Sequence, residues 1–358
     1  MSMPATRTRP ATTSDRGYRR ISIGRHPHVV HVRLRSALTG AALAAATLTA
    51  AVIALGLGSY PLSPTAVIEV ITGGGLPLDR TVVFDWRLPR TLAAIVLGAY
   101  LAIAGALFQT VTRNPLASPD ILGLSNGAFT GMLGAMLFIS TSWTVLAAGA
   151  VVGGLLTAAI IVLLAGRVRS DGFRIIVIGI GVAAMLASAN TWMLLQIELE
   201  TAMFASAWGT GSLNGVTGAA VAGAALCGIP LLIALAPLAP GLRQLDLGDD
   251  LAIATGTRPS MIRSGALFIG VLLVSIATAV VGPIAFIALA APQIARRLGR
   301  TPHLSLSLSA LVGAALLLAA DIIAQHLLPV ALPAGVVTVS VGGLYLVLTL
   351  IQEIRRRV

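Results

Sequence analysis

The 358-residue chain contains no lysine; all 24 of its basic residues are arginine. A P-loop of the form G-x-x-x-x-G-K-[ST] needs its lysine on the β- and γ-phosphates, and Schiff-base catalysis needs a lysine amine, so both are excluded. Any ATP hydrolysis serving this chain must come from another polypeptide. Cysteine is almost as scarce: Cys227 stands alone in an apolar run, which excludes an internal disulfide and a cysteine-based metal site. Charge is thin too, at 10% of residues against roughly 25% in an ordinary globular domain. With 56% apolar residues and a mean hydropathy of +0.93, too few charges remain to coat a water-facing surface. Lipid is therefore the solvent for most of the chain.

What charge there is has one sign. The net value of +11 would suggest nucleic acid in a soluble protein. In a membrane protein it points to charge gathered at one face, and no nucleic-acid partner is expected. Residues 1–35 hold eight arginines and three histidines, His26, His28 and His31, with no apolar run. They read as a disordered, Arg-rich cytoplasmic tail, the histidines solvated rather than metal-binding. Residues 36–58 are too long for a typical signal-peptide core and long enough to span a bilayer.

Apolar runs continue at 88–110, 120–140, 143–166, 174–195, 216–238, 262–281, 283–297, 305–327 and 334–352. The expected fold is an all-α polytopic membrane protein of about ten transmembrane helices, with both termini cytoplasmic and residues 36–358 forming one transmembrane domain. The eighth run is short and proline-flanked, and Met203–Leu213 suits a half-buried external helix. The arginines test this topology independently. With the N-terminus inside, only Arg80, Arg87 and Arg90 fall outside, while the other 21 fall inside; the acids divide almost evenly. Such a split is the positive-inside pattern.

Arg87 and Arg90 flank Leu88-Pro89 at the start of the second run, where proline suits a first helical turn. Two cations at a helix N-terminus oppose the helix dipole, so an acidic partner is expected to compensate them. They could anchor to lipid phosphates beside Trp86, or receive acidic side chains of an external protein. Further on, Asn114, Pro115, Pro119, Gly123 and Asn126 break the backbone at a membrane edge. Such a break must be shielded or must line a cavity, and Asp120 is placed as a first-turn acid of the third span. In the loop 239–263, Asp249 and Asp250 open a two-turn helix that Gly256 closes. A capped helix too short to span suits a groove in a partner subunit, or could rest on headgroups.

The runs RLPRTLAAIVLGAYLAIAGALFQTVTRNPLASPDILGLSNGA (87–128), LGDDLAIATG (247–256), VVGPIAFIALAAPQIARRLG (280–299) and LPAGVVT (332–338) resemble the FecCD-type permease subunits of type II ABC importers for iron-siderophores, haem and cobalamin. The resemblance implies docking of an extracytoplasmic substrate-binding protein at Arg87 and Arg90. It implies coupling to an ATPase through Leu247, Gly248, Asp249, Asp250, Ala252 and Gly256, and a cytoplasmic gate region at Asp171, Gly172 and Phe173. It also implies a pathway along the interface with a second permease subunit, in a homo- or heterodimer, lined largely by 174–195 and 334–352, with Asn114, Pro115, Gly123 and Asn126 as a structural motif. Two copies of an ATP-binding subunit would carry ATP and Mg, leaving this chain no cofactor, no metal and no catalytic residue. The implied location is the cytoplasmic (inner) membrane, and the cargo a ferric siderophore, with haem or cobalamin as alternatives.

The chain departs from the family pattern at Thr255, where leucine is frequent, at Gln293, where some relatives carry histidine, and at Gln325–His326, where some place another arginine. Outside this family, an ion-coupled secondary transporter is the main alternative. It would need an ionisable group within the membrane, and Asp321, near the outer edge, is the one candidate.

Overall fold

The computed structural model describes residues 18–23, 28–165 and 172–357. Apart from one strand pair, the regular structure of these residues is helical. Strands β1 (Tyr18–Ile23) and β2 (His28–Arg33) pair antiparallel with Tyr18 opposite Arg33. A short hairpin thus stands within the segment expected to be disordered. Ile21, Ile23, Val29, Val30 and Val32 supply β-branched residues suited to strands, a local signal that the surrounding arginines outweigh in composition.

Helix α1 (Leu34–Gly56) follows, then α2 (Pro64–Ile71), whose start is capped by the Ser63 hydroxyl accepting the Ala66 N–H at 3.1 Å. The single turn α3 (Pro77–Arg80) and a π-helical stretch, Thr81–Arg87, run directly into α4 (Leu88–Thr112). Helix α5 (Leu124–Phe138) begins later than the expected 120. Pro115, Pro119 and Gly123, the last at φ 79°, hold the preceding residues in turns. Asp120 is consequently not a first-turn acid; it accepts hydrogen bonds from the Ser118 and Ser125 hydroxyls at 3.2 and 2.9 Å.

Next come α6 (Trp143–Ala165), α7 (Gly172–Leu195), α8 (Leu199–Gly209) and α9 (Gly218–Leu235). Helix α8 is the short helix expected near 203–213, displaced by four residues. Helices α10 (Ala239–Leu245) and α11 (Asp249–Ala254) occupy the long loop. The chain ends with α12 (Pro259–Val281), α13 (Ile287–Gly299), α14 (Leu306–His326) and α15 (Ala334–Arg357). The eighth apolar run becomes helical only at Ile287, because Gly282 and Phe286 take positive φ angles of 75° and 70°.

Among the described residues, seven helices are long and apolar enough to cross a membrane. The remaining expected positions are occupied by the shorter α5 and α13 and by α15. Helix α4 is the central element, with Leu97, Leu101 and Leu107 fully buried and packed in one cluster with Leu273 of α12 and Leu317 of α14. Lipid tails are as apolar as leucine, so association between such helices depends on close packing. Helices α5 and α6 show how close: Gly127 and Gly131 face Gly149 and Gly153, and a methyl on Gly131 would overlap the Gly149 carbonyl. In contrast, α7 leaves Val177, Ile180, Met185, Trp192 and Leu195 exposed.

Candidate functional site

Two charge clusters lie at opposite ends of α4. At its C-terminal end the chain turns through Arg113, which adopts a left-handed conformation (φ 51°) as the helix cap. That turn carries the guanidinium to the Leu245 carbonyl, at 3.1 Å from Nε and 2.9 Å from Nη2, and to Asp249 Oδ1 at 2.5 Å. Arg263, one turn into α12, donates to the same Asp249 oxygen at 2.6 Å. The Arg263 guanidinium, with Arg113 behind it, holds the Asp249 carboxyl below its ordinary value, against partial burial acting the other way. One carboxylate therefore joins the ends of α4 and α12 to the start of α11.

Helix α11 has the limits read from the sequence. Gly248 precedes it and Gly256, at φ 82°, ends it. The Gly256 N–H reaches the Ile253 carbonyl and the Thr257 N–H the Ala252 carbonyl, both at 2.9 Å, which satisfies carbonyls that the last turn would otherwise orphan. Ala252 is buried, whereas Leu247, Leu251 and Ile253 are more than half exposed. Asp250 is exposed. Thr255, in place of the frequent leucine, donates to Gln244 Oε1 at 3.0 Å and ties α11 to α10. His303 lies 3.2 Å from Asp246 and brings the α13–α14 connection to the same surface. Behind it, Gln293 donates to Gln109 Oε1 at 2.6 Å while Gln109 donates to the Leu289 carbonyl at 3.0 Å, so glutamine in the variable position bridges α13 to α4.

At the other end of α4, Arg90 grips Asp321 of α14 with two bonds, 2.7 Å from Nε and 2.6 Å from Nη2. Its Nη1 donates to Asn214 Oδ1 at 2.6 Å. Asp321 is the compensating acid for Arg90. Arg87 is held differently, donating to the carbonyls of Leu55 at 2.8 Å and Tyr60 at 2.5 Å. Asp321, the residue that favoured an ion-coupled transporter, is paired with Arg90 within the fold.

The broken segment after α4 acts mainly on α7. Gly123 packs on Ala183, where a Cβ would come within 2.8 Å of the Ala183 Cα, and the Asn126 amide donates to the Ala183 carbonyl at 3.3 Å. One turn along, Thr130 donates to Asn190 Oδ1 at 2.6 Å and Asn190 donates back to the Asn126 carbonyl at 3.2 Å. Asn114 closes its own turn by accepting the Leu116 N–H at 2.9 Å, and Pro115 lines a cavity of about 330 Å³ with Arg113, Asp246 and Arg296. Of the gate residues, Asp171 lies outside the described residues and Gly172 and Phe173 open α7.

Sequence reading identified α11 but not the two arginines that hold Asp249, nor the pairing of Arg90 with Asp321. The demand for an acid near Arg87 and Arg90 is the available signal, and Asp321 is the one acid weighed as an ionisable group within the membrane, close to the outer edge.

A bundle of long apolar helices, with a capped short helix clipped to one end of α4 and a closed ion pair at the other, is the fold of a multi-pass membrane protein. The FecCD transport family model matches residues 45–352, and the chain belongs to that family. It is 45% identical over 330 residues to the ferric enterobactin transport system permease protein FepG of Escherichia coli K12, covering 92% of this chain and 100% of the relative. To FepD, a ferric enterobactin permease protein of the same bacterium, it is 36% identical over 314 residues, covering 86% and 92%. A solved structure of an inward-facing metal-chelate type ABC transporter superposes with a TM-score of 0.76 at 26% identity, covering 88% of this chain and 99% of that one.

Proposed function

We propose that the chain is the membrane permease subunit of an ATP-driven importer of ferric siderophores. The observation that carries this reading is the end-to-end likeness to FepG, a ferric enterobactin permease protein, at 45% identity. The ten apolar segments span the inner membrane with both termini in the cytoplasm, which places the Arg113–Asp249–Arg263 cluster inside and the Arg90–Asp321 pair outside. A second permease subunit packs against α7 and α15, where Met185, Trp192, Val339 and Leu344 are exposed apolar residues. The likeness to both FepG and FepD favours a related, non-identical partner.

Energy enters from two ATP-binding subunits that carry ATP and Mg. Their contact is α11 with the preceding Leu247; Leu247, Leu251 and Ile253 are exposed apolar residues on a segment clamped by two arginines. An external substrate-binding protein docks over Arg87 and Arg90. A carboxylate arriving at Arg90 finds it held by Asp321, so docking there is an exchange of partners. Arg87 has no carboxylate partner among the described residues, which makes it the cation with unspent charge. Alternating closure at the two ends then passes the intact chelate, with no covalent step on this chain.

The test is reconstitution of this chain with its partner permease, ATPase and binding protein in proteoliposomes. ATP-dependent uptake of a ferric siderophore is expected, with charge reversal at Arg87 weakening binding-protein association in a salt-dependent manner. Uptake driven by an ion gradient without any ATPase would overturn the reading.

A further inference from the structure

On the flank of α4, a crevice of about 480 Å³ opens between α4, the start of α5, α6 and α12, within the roughly 300–1,000 Å³ typical of small-molecule sites. Its walls are apolar, including Phe108, Leu155, Ala159, Ile161, Phe268 and Val271. Thr112, Arg263 and Ser264 are its polar lining residues, and the Thr112 hydroxyl is already donated to the Phe108 carbonyl at 2.7 Å. A polar chelate would therefore find no converging set of partners. Neither α7 nor α15 contributes to the lining, so the crevice is separate from the faces assigned to the partner permease.

Its mouth is charged. Arg263 lines the crevice, and it shares the single Asp249 oxygen with Arg113, so two cations are balanced by one carboxylate. The cluster carries an excess positive charge beside an apolar slot in the half of the bundle nearest α11. A basic group at the cytoplasmic rim of an apolar inter-helix groove is complementary to an anionic lipid headgroup with its chain alongside. We infer that this crevice holds an acyl chain of an anionic phospholipid of the inner leaflet, with the phosphate against Arg263. The leaflet follows from the orientation proposed above; the preference for negative charge does not depend on it. Because Arg263 also holds Asp249, a phosphate there draws on the same guanidinium that seats α11, placing lipid composition in contact with the coupling segment.

The test is native mass spectrometry of the full chain in detergent, offered phosphatidylglycerol and phosphatidylcholine of identical acyl chains in competition. Phosphatidylglycerol should be retained about fivefold more, the factor that one basic residue contributes at an anionic surface. R263Q should abolish the preference. A159F, which fills the slot from an exposed position, should lower retention of both lipids without touching the charges. Equal retention of the two lipids by the unmodified chain, or retention unchanged in A159F, would overturn the proposal. Loss of siderophore uptake with the lipid preference intact would count against the transport reading alone.

Discussion

The two charge clusters at the ends of α4 are built from the same residue types but balanced differently. At one end Arg90 and Asp321 meet one to one, in two short bonds, with the Asp321 side chain 7% exposed and that of Arg90 22%. At the other, Arg113 and Arg263 share Asp249, whose side chain is 28% exposed. The first is a closed pair whose partners satisfy one another. The second is open: it has charge left over, and it holds a six-residue helix that shows apolar side chains to its surroundings. Stoichiometry and burial thus separate a fastening from a handle.

The largest effect should come from breaking the closed pair. D321A leaves the partly buried Arg90 without a countercharge and should cost about 3 kcal/mol, the low end for a broken buried pair because Arg90 retains some exposure. Thermal unfolding in detergent reads this directly, and a cost as small as a surface substitution would show that the pair is not closed. The exchange R90D/D321R should recover part of the loss, because a one-to-one pair can be reversed.

D249A should cost less, about 1–2 kcal/mol, since the cluster is partly solvated and its arginines retain other partners. The expected signature is local: faster hydrogen exchange in Asp249–Thr255 and weaker ATPase co-purification, with the α4–α14 contact unchanged. R113A and R263A alone should each cost under about 1 kcal/mol, because one arginine remains on the carboxylate.

The smallest effect is that of pH. A carboxyl depressed in the folded state adds stability above its unfolded value and loses it as pH falls through the folded value. Protection of the α11 amides should therefore stay level from neutral pH down to about 4, near the ordinary aspartate value, and fall only below it. D249N should remove this acid-induced step. A step near pH 6 in the unmodified chain would show that the arginines do not hold Asp249 in its charged form.

How much of this could be read beforehand depended on range. Helix α11 was legible because Asp249, Asp250 and Gly256 lie within eight residues and each signals through the local backbone. The long apolar runs were legible because lipid demands length. The start of α5 was misplaced because apolar content at 120–123 says nothing of Gly123 and its positive φ. Arg90 and Asp321 lie 231 residues apart, and only the packing of α4 on α14 brings them together. Gln293 and Thr255 looked like departures from a pattern, yet each has a hydrogen-bonding partner on a neighbouring helix.

The shared carboxylate has a mechanical meaning as well. Helix α12 spans 23 residues, a rigid rod of about 35 Å. Pivoting that rod by about 5° at Arg263 would sweep Val281, about 27 Å away, through roughly 2 Å, a large fraction of the length of a hydrogen bond. The tip is not idle. The Val281 carbonyl takes the Ser212 N–H at 2.8 Å, and two residues later Asn214 takes Arg90. Arg263 near one end of α12 and Val281 at the other thus link the Asp249 cluster to the Arg90–Asp321 pair through one continuous run of contacts, so the fastening and the handle are attached to the same rod.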